Sequence, residues 1–250
     1  MFFTLRNPRT DLHFSTLHWP GARKLAPSAP MKAINKLLDK VGAHMWLVPS
    51  FDYREDMVSR EQVANFQHLI ARVLESQVAG AFTEFGCYTG NTSTVIGTFL
   101  REAKSDKEFH VYDSFEHTLG RSRIDVLGRF VQTMKSEGLE LPHIHRGDLF
   151  QTLPDALPER VAFAHFDLGV GGDPADHATC LLHCLEHVYS RMPHGAIGVL
   201  MDYHVPGVTI EGADVNPGVR KACDEFFMDR PEKVVTLYGG PCSHGYFRKQ

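Results

Sequence analysis

The stretch Glu84-Phe85-Gly86-Cys87-Tyr88-Thr89-Gly90-Asn91 combines a carboxylate with two glycines where a short apolar run meets a helical pattern. Glycines at such a junction let the backbone approach a ligand closely and adopt conformations closed to other residues. The helix beyond offers free N–H groups at its first turn. The order is acid-x-Gly-x-x-x-Gly, not the G-x-G-x-x-G that cradles a pyrophosphate, which counts against a nicotinamide-dependent oxidoreductase. A carboxylate on the strand itself suits a cationic ligand, such as a nucleoside bearing an ammonium group and a sulfonium sulfur. A second acid, Asp113, closes the next predicted strand, where a carboxylate can accept both hydroxyls of a ribose. Together the two acids predict a crevice that both face, Glu84 taking the amino-acid end of the ligand and Asp113 its sugar. Each also has a plainer role open to it, Glu84-Phe85-Gly86 as an ordinary strand-to-helix turn and Asp113 as a helix cap.

Two further acids close later strands. Asp167 follows Val161-Ala162-Phe163-Ala164-His165-Phe166, and Asp202 follows a run ending in Met201. His165 precedes the first and His204 follows the second, so imidazoles and carboxylates stand where a hydroxyl proton could be taken. Asp167, His165 and His204 are therefore the candidate catalytic groups. His165 could equally be a hydrogen-bonded core residue, His204 an ordinary loop residue and Asp167 a bracing acid. The series His177, Cys180, His183, Cys184 and His187 has zinc-like residue types, but it lies on a predicted helix. Ligands on one straight helix cannot converge tetrahedrally, so the series reads as packing. Cys87, inside the glycine turn, reads as a small buried residue.

The elements that must position these groups follow from hydrophobic periodicity. Val63, Phe66, Leu69, Ile70, Val73 and Leu74 recur at helical spacing. Strands are predicted over 81–86, 109–113, 143–146, 161–167 and 196–201, with helices over 91–103, 123–138, 177–192 and 217–228 between or after them. Alternation of this kind predicts a mostly parallel sheet, helices on both faces and a ligand at the carboxyl ends of the strands. The last two strands, near 234–238 and 245–248, have no helix between them and predict an antiparallel hairpin at one edge. Residues 1–56 form an uneven N-terminal extension broken by prolines, with one helix over 31–41, packing on the core or on a partner. Residues 57–250 form the main domain.

A length of 250 residues, 43% hydrophobic and 22% charged, is ordinary for one large α/β domain. A net charge of −4 gives no basic field for nucleic acid or an anionic membrane. No apolar run approaches a membrane span, and the first 19 residues lack the apolar stretch of a signal peptide. The five cysteines are thinly spread and read as reduced thiols, so a cytoplasmic protein is expected, with a homodimer as the default assembly.

Met57-Val58-Ser59, the block from Glu84 to Asn91, Asp113-Ser114-Phe115-Glu116, the block from Gly147 to Pro154, His165-Phe166-Asp167 and Asp202-Tyr203 together resemble the macrocin O-methyltransferase family over about residues 57–250. The resemblance implies an α/β fold, the Rossmann-like class I methyltransferase sandwich, with a mostly parallel seven-stranded sheet and an antiparallel edge strand. It implies S-adenosylmethionine as methyl donor and a small hydroxylated acceptor, a sugar or polyketide group of a secondary metabolite. Carried over, Met57, Glu84, Gly86, Tyr88, Gly90 and Asp113 line the cofactor, while Ser114 and Asp148 approach its adenosine. The family commonly binds Mg2+ through acids equivalent to Asp167 and Asp202, each with a further acid nearby. Those further acids fall here at Gly169 and Met201, which counts against magnesium, although Asp173, Asp176 and His177 could supply ligands. The two departures also motivate an alternative function: a cofactor-binding relative without transfer activity, serving as a structural or regulatory subunit.

Overall fold

The computed structural model describes residues 3–6, 28–43, 45–49, 58–116, 124–169, 172–208, 214–239 and 243–250. The chain divides into two compact units, Met1–Val58 and Ser59–Gln250. In the first, β1 (Phe3–Arg6) pairs antiparallel with β2 (Trp46–Pro49), and α1 spans Ala29–Lys40. The Asn35 side chain accepts from Leu47 N at 2.6 Å and donates to Leu47 O at 2.8 Å, tying α1 to β2. The helix agrees with the one expected over 31–41. The strand pair was not foreseen, because proline-broken polar sequence hides any alternation.

The second unit opens with α2 (Arg60–Glu75). Ser59 caps it: its hydroxyl accepts from Gln62 N while the Gln62 side chain accepts from Ser59 N, a reciprocal capping box. Val63, Phe66, Ile70 and Val73 form its buried stripe. There follow β3 (Ala81–Phe85), α3 (Asn91–Glu102), β4 (Phe109–Asp113), α4 (Val126–Ser136), β5 (His143–Arg146), the single turn α5 (Leu149–Thr152), β6 (Val161–Phe166), α6 (Pro174–Tyr189), β7 (Ile197–Met201), α7 (Pro217–Phe226), β8 (Val235–Leu237) and β9 (His244–Arg248).

The seven strands lie in the order β5-β4-β3-β6-β7-β9-β8. All pairs from β5 to β7 are parallel, whereas β9 runs antiparallel to both β7 and β8. The expected edge hairpin is present, with the reversed strand inserted one place in from the edge. Every residue of β3, β6 and β7 is buried, as a strand covered on both faces requires. On one face Phe66 of α2 packs edge-on to His165 at 4.9 Å. On the other, Tyr189 of α6 and Phe227 lie against Phe247. An aromatic row crosses four strands through stacked pairs His145–Tyr112, Tyr112–Phe85 and Phe85–Phe166, with ring centroids 4.5, 4.8 and 5.2 Å apart. Adjacent rings on neighbouring strands fix register here, because a one-residue slip would turn each of them to the opposite face.

The zinc-like series on α6 is a packing face: Leu181, Cys184 and Leu185 are fully buried. Among the described residues, no helix is long and apolar enough to cross a membrane. Gly198 on β7 is required by Phe247, whose ring atoms would lie 2.2 Å from an added Cβ. Gly198→Ala should destabilise the fold by about 1–3 kcal/mol through this overlap, read as a lowered denaturation midpoint at unchanged m-value.

Candidate active site

The carboxyl ends of β3, β4, β6 and β7 bring together Glu84, Asp113, Asp167 and Asp202, and each acid is accommodated differently. Asp113 is wrapped by backbone. Its Oδ2 accepts from Cys87 N and Tyr88 N, both at 2.8 Å, and its Oδ1 accepts from Phe115 N at 2.7 Å. A carboxylate has about four acceptor positions, so one remains for a ligand hydroxyl rather than the two a bare acid would offer. The same bonds shape the turn, in which Gly86, Tyr88 and Gly90 all have positive φ, at 77°, 45° and 86°. At Gly86 an added Cβ would lie 1.9 Å from the Asp167 carbonyl oxygen, so only glycine lets the ends of β3 and β6 approach this closely. Gly90 is similarly pressed against Phe130 and serves as the N-cap of α3.

Glu84 corrects the expectation that both acids face an open crevice. Its side chain is fully buried: Oε2 accepts from Ser93 Oγ, and Oε1 is hydrogen-bonded to His165 Nδ1 at 3.0 Å. The strand's alternation, invisible in a motif string, turns this carboxylate toward α2 and α3 rather than toward the loop edge. His165 is buried with it. Its exposure is 0%, it packs on Phe66, and its Nε2 has no hydrogen-bond partner among the described residues. Ser93, on the first turn of α3, completes this buried trio. A serine on the sheet-facing side of a helix was the signal available for it.

Asp167 is half-buried beyond β6. Burial, followed by the charges of Asp202, Glu84 and Asp113, pushes its carboxyl well above the ordinary 3.8. Asp202 stands at the end of β7 with a left-handed φ of 58° and accepts from Asn216 Nδ2 at 2.6 Å. Burial raises its carboxyl too, opposed by that hydrogen bond and by His165. Burial, then Asp113 and Glu84, also raise the Cys87 thiol well above 9.0, which keeps it protonated and unreactive. His204 is half-buried in the loop after β7, near Asp202 in the chain.

The remaining expected residues are scattered in exposure. Ser114 is half-buried, and its hydroxyl accepts from Glu116 N at 3.3 Å. Asp148 is exposed and caps α5, its Oδ1 accepting from Phe150 N at 2.8 Å. Tyr88 is half-buried in the turn. Met57 lies outside the described residues.

A magnesium ion needs several hard oxygen ligands in near-octahedral array. Among the described residues, only Asp167 and Asp202 stand at the strand ends where its ligands are expected. Gly169 contributes no side chain, Met201 is buried at 4% exposure, and Asp173 is committed to capping α6 through Ala175 N at 2.8 Å. Among the described residues, no three His, Cys, Asp or Glu side chains are grouped to hold a metal. This donor set does not fit the ion. Asn216, which sequence reasoning passed over, donates to Asp202 and lies against Gly169. The Asn216-Pro217 step at a helix start was its only signal.

The family model described as Macrocin-O-methyltransferase (TylF) matches residues 26–125, which include the glycine turn and Asp113 but neither Asp167 nor Asp202. The match begins within the N-terminal region, ahead of residue 57. Comparison with curated proteins gives no match. Among solved structures, the O-methyltransferase NovP is similar with a TM-score of 0.60 at 18% identity, over 76% of this chain and 80% of that one. The SAH-bound methyltransferase PaMTH1 of Podospora anserina is similar with a TM-score of 0.55 at 15% identity, over 90% of this chain and 89% of that one. At such identities the likeness is one of fold. The chain therefore has the class I methyltransferase fold and, through the segment that builds its glycine turn and first two sheet acids, resembles the macrocin O-methyltransferase family.

Proposed function

We propose that the chain is a methyltransferase that binds S-adenosylmethionine over the glycine turn and transfers a methyl group to a hydroxyl oxygen of a small molecule, a sugar or polyketide group of a secondary metabolite. The observation that carries this reading is the Asp113 carboxylate, held by three backbone N–H groups of the turns after β3 and β4 inside the segment matched by the methyltransferase family. The net charge of −4 supports a small acceptor rather than nucleic acid.

Gly86, Tyr88 and Gly90 form the floor of the cofactor site, Asp113 keeps one acceptor position for a ribose hydroxyl, and Ser114 and Asp148 approach the adenosine. Met57 is assigned to the same site by family resemblance alone. Glu84 contributes its position beneath the turn rather than a direct contact. When bound, S-adenosylmethionine supplies an electrophilic methyl carbon on a positively charged sulfur. The cluster of acids favours that cation over the neutral sulfide left after transfer. The chain's own task is to align a hydroxyl oxygen with the methyl carbon and to take its proton. Asp167 and Asp202 are the proton acceptors, with His204 as the neighbouring imidazole. As the O–CH3 bond forms and the S–CH3 bond breaks, the hydroxyl proton passes to a carboxylate. The products are an ether, S-adenosylhomocysteine and a protonated acid, which releases its proton to solvent. Proton transfer to a carboxylate needs no metal, so Gly169 and Met201 give no reason to set catalysis aside in favour of a non-catalytic subunit.

Calorimetry should register binding of S-adenosylmethionine, and Asp113→Ala should weaken it by roughly 10-fold or more, since a charge-assisted hydrogen bond and the shape of the turn are both lost. Label from methyl-tritiated cofactor should then appear in a hydroxylated glycoside acceptor. An absence of any binding heat would reject the reading. The raised carboxyl of Asp167 gives a second expectation. Because the folded protein holds that proton to higher pH than the unfolded chain does, ionised Asp167 costs stability as pH rises from about 4 through its folded value. Asp167→Asn should therefore raise the melting temperature at pH 7, with the gain shrinking as pH falls toward 4.

A further inference from the structure

We propose that the Asn216 amide takes the place of a divalent cation in this site, filling the space beside Gly169 and orienting the Asp202 carboxylate. This rests on the methyltransferase reading, but it concerns a residue to which neither the sequence motifs nor the family resemblance gives a role.

The argument begins with a steric interlock. A Cβ added to Gly169 would lie 2.3 Å from Asn216 Nδ2, 2.5 Å from its Cγ and 2.7 Å from its Oδ1. No side chain at position 169, an acid least of all, can coexist with the amide where it stands. Asn216 is itself buried, at 7% exposure, and Nδ2 donates to Asp202 Oδ2 at 2.6 Å. The orientation of the amide is fixed by chemistry, since a carboxylate oxygen requires the NH2 end as its partner.

The backbone holds this arrangement in place. Asn216 is the N-cap residue of α7, yet its side chain makes no capping bond, so the amide is spent on Asp202 instead. Two residues on, Gly218 lets the first turn of α7 press against the first turn of α6. A Cβ there would lie 2.5 Å from Pro174 O and 2.9 Å from Ala178 N. Two helix starts are thus packed closely together, which sets where the backbone of Asn216 enters α7. Asp202 in turn holds a left-handed backbone conformation, uncommon for a residue with a side chain, that sets its carboxylate at this spot.

A cation at such a site would orient an acid and fill the gap between strand ends. The amide does both with a neutral donor, adding no positive charge beside the acids. Asn216 is a positioning residue in this scheme, acting on the acceptor through Asp202.

The test is cation uptake, which a merely structural asparagine would not govern. The full chain, with and without S-adenosylhomocysteine, is titrated with Mn2+ while free Mn2+ is read by electron paramagnetic resonance. Wild type should show no saturable uptake. Asn216→Asp, which keeps the side-chain shape but exchanges the donor for a further hard oxygen, should gain saturable uptake, and Asp167→Asn added to it should remove the gain. Saturable wild-type uptake that Asp202→Asn abolishes would overturn the proposal. So would an Asn216→Asp protein that melts cooperatively and gains nothing. Calorimetry with S-adenosylmethionine on the same samples reads the methyltransferase assignment separately, so that its failure is told apart from a failure at Asn216.

Discussion

Four carboxylates gathered at the ends of four neighbouring strands are an electrostatic burden, and the rest of the site is arranged around it. Like charges partly removed from water repel strongly, and each must find donors or keep its proton. Glu84 is met by Ser93 and His165, Asp113 by three backbone N–H groups, and Asp202 by the Asn216 amide. The Asp167 carboxylate, unlike the other three, has no hydrogen-bond donor among the described residues, and burial raises its pKa well above the ordinary 3.8. The acid left least satisfied is thus the one whose proton affinity burial and its neighbours raise most clearly. An arrangement that is costly when empty also favours a cationic ligand, because the positive charge relieves all four acids at once.

The same region concentrates backbone cost. Three of the five non-glycine residues with positive φ among those described, Tyr88, Phe115 and Asp202, lie in the turns that leave β3, β4 and β7. Each such residue costs of order 1 kcal/mol. The hydrogen bonds on Asp113 explain two of them. Accepting from Cys87, Tyr88 and Phe115 together bends both turns back around one carboxylate. Strain, glycine placement and charge are here one feature described in three ways.

Much of the sheet was legible because its central strands are buried on both faces and read as unbroken apolar runs closed by an acid. The glycine turn was legible because residues at positive φ with close neighbours leave glycine as a visible trace. What sequence could not supply was side-chain direction. A motif names Glu84 as a strand-end acid, but the parity of β3 decides that it points inward, and that parity is fixed only once β6 places His165 opposite it. The sequence allows His165 to be a core histidine or a base, and burial against Phe66 is a feature that no motif string displays. The small sheet of β1 and β2 was missed for a different reason, since pairs of residues far apart in sequence and flanked by prolines leave no local signature.

The two halves of the site stand differently toward the family pattern. The half that shapes the cofactor turn lies within residues 26–125 and matches the family model, whereas the half carrying Asp167, Gly169, Met201 and Asp202 lies beyond the match. Loss of an acid at position 169 would by itself leave a void and an under-supported Asp202. Asn216 answers both deficits with one side chain, and it can do so only because Gly169 lacks a Cβ and Gly218 lets α7 come close. Such changes are not independent. Restoring an acid at 169 without removing the amide would force two groups into one space, and removing the amide alone would strip Asp202 of its donor. The two positions are therefore sterically linked: the Asn216 amide can stand where it does only while position 169 carries no Cβ.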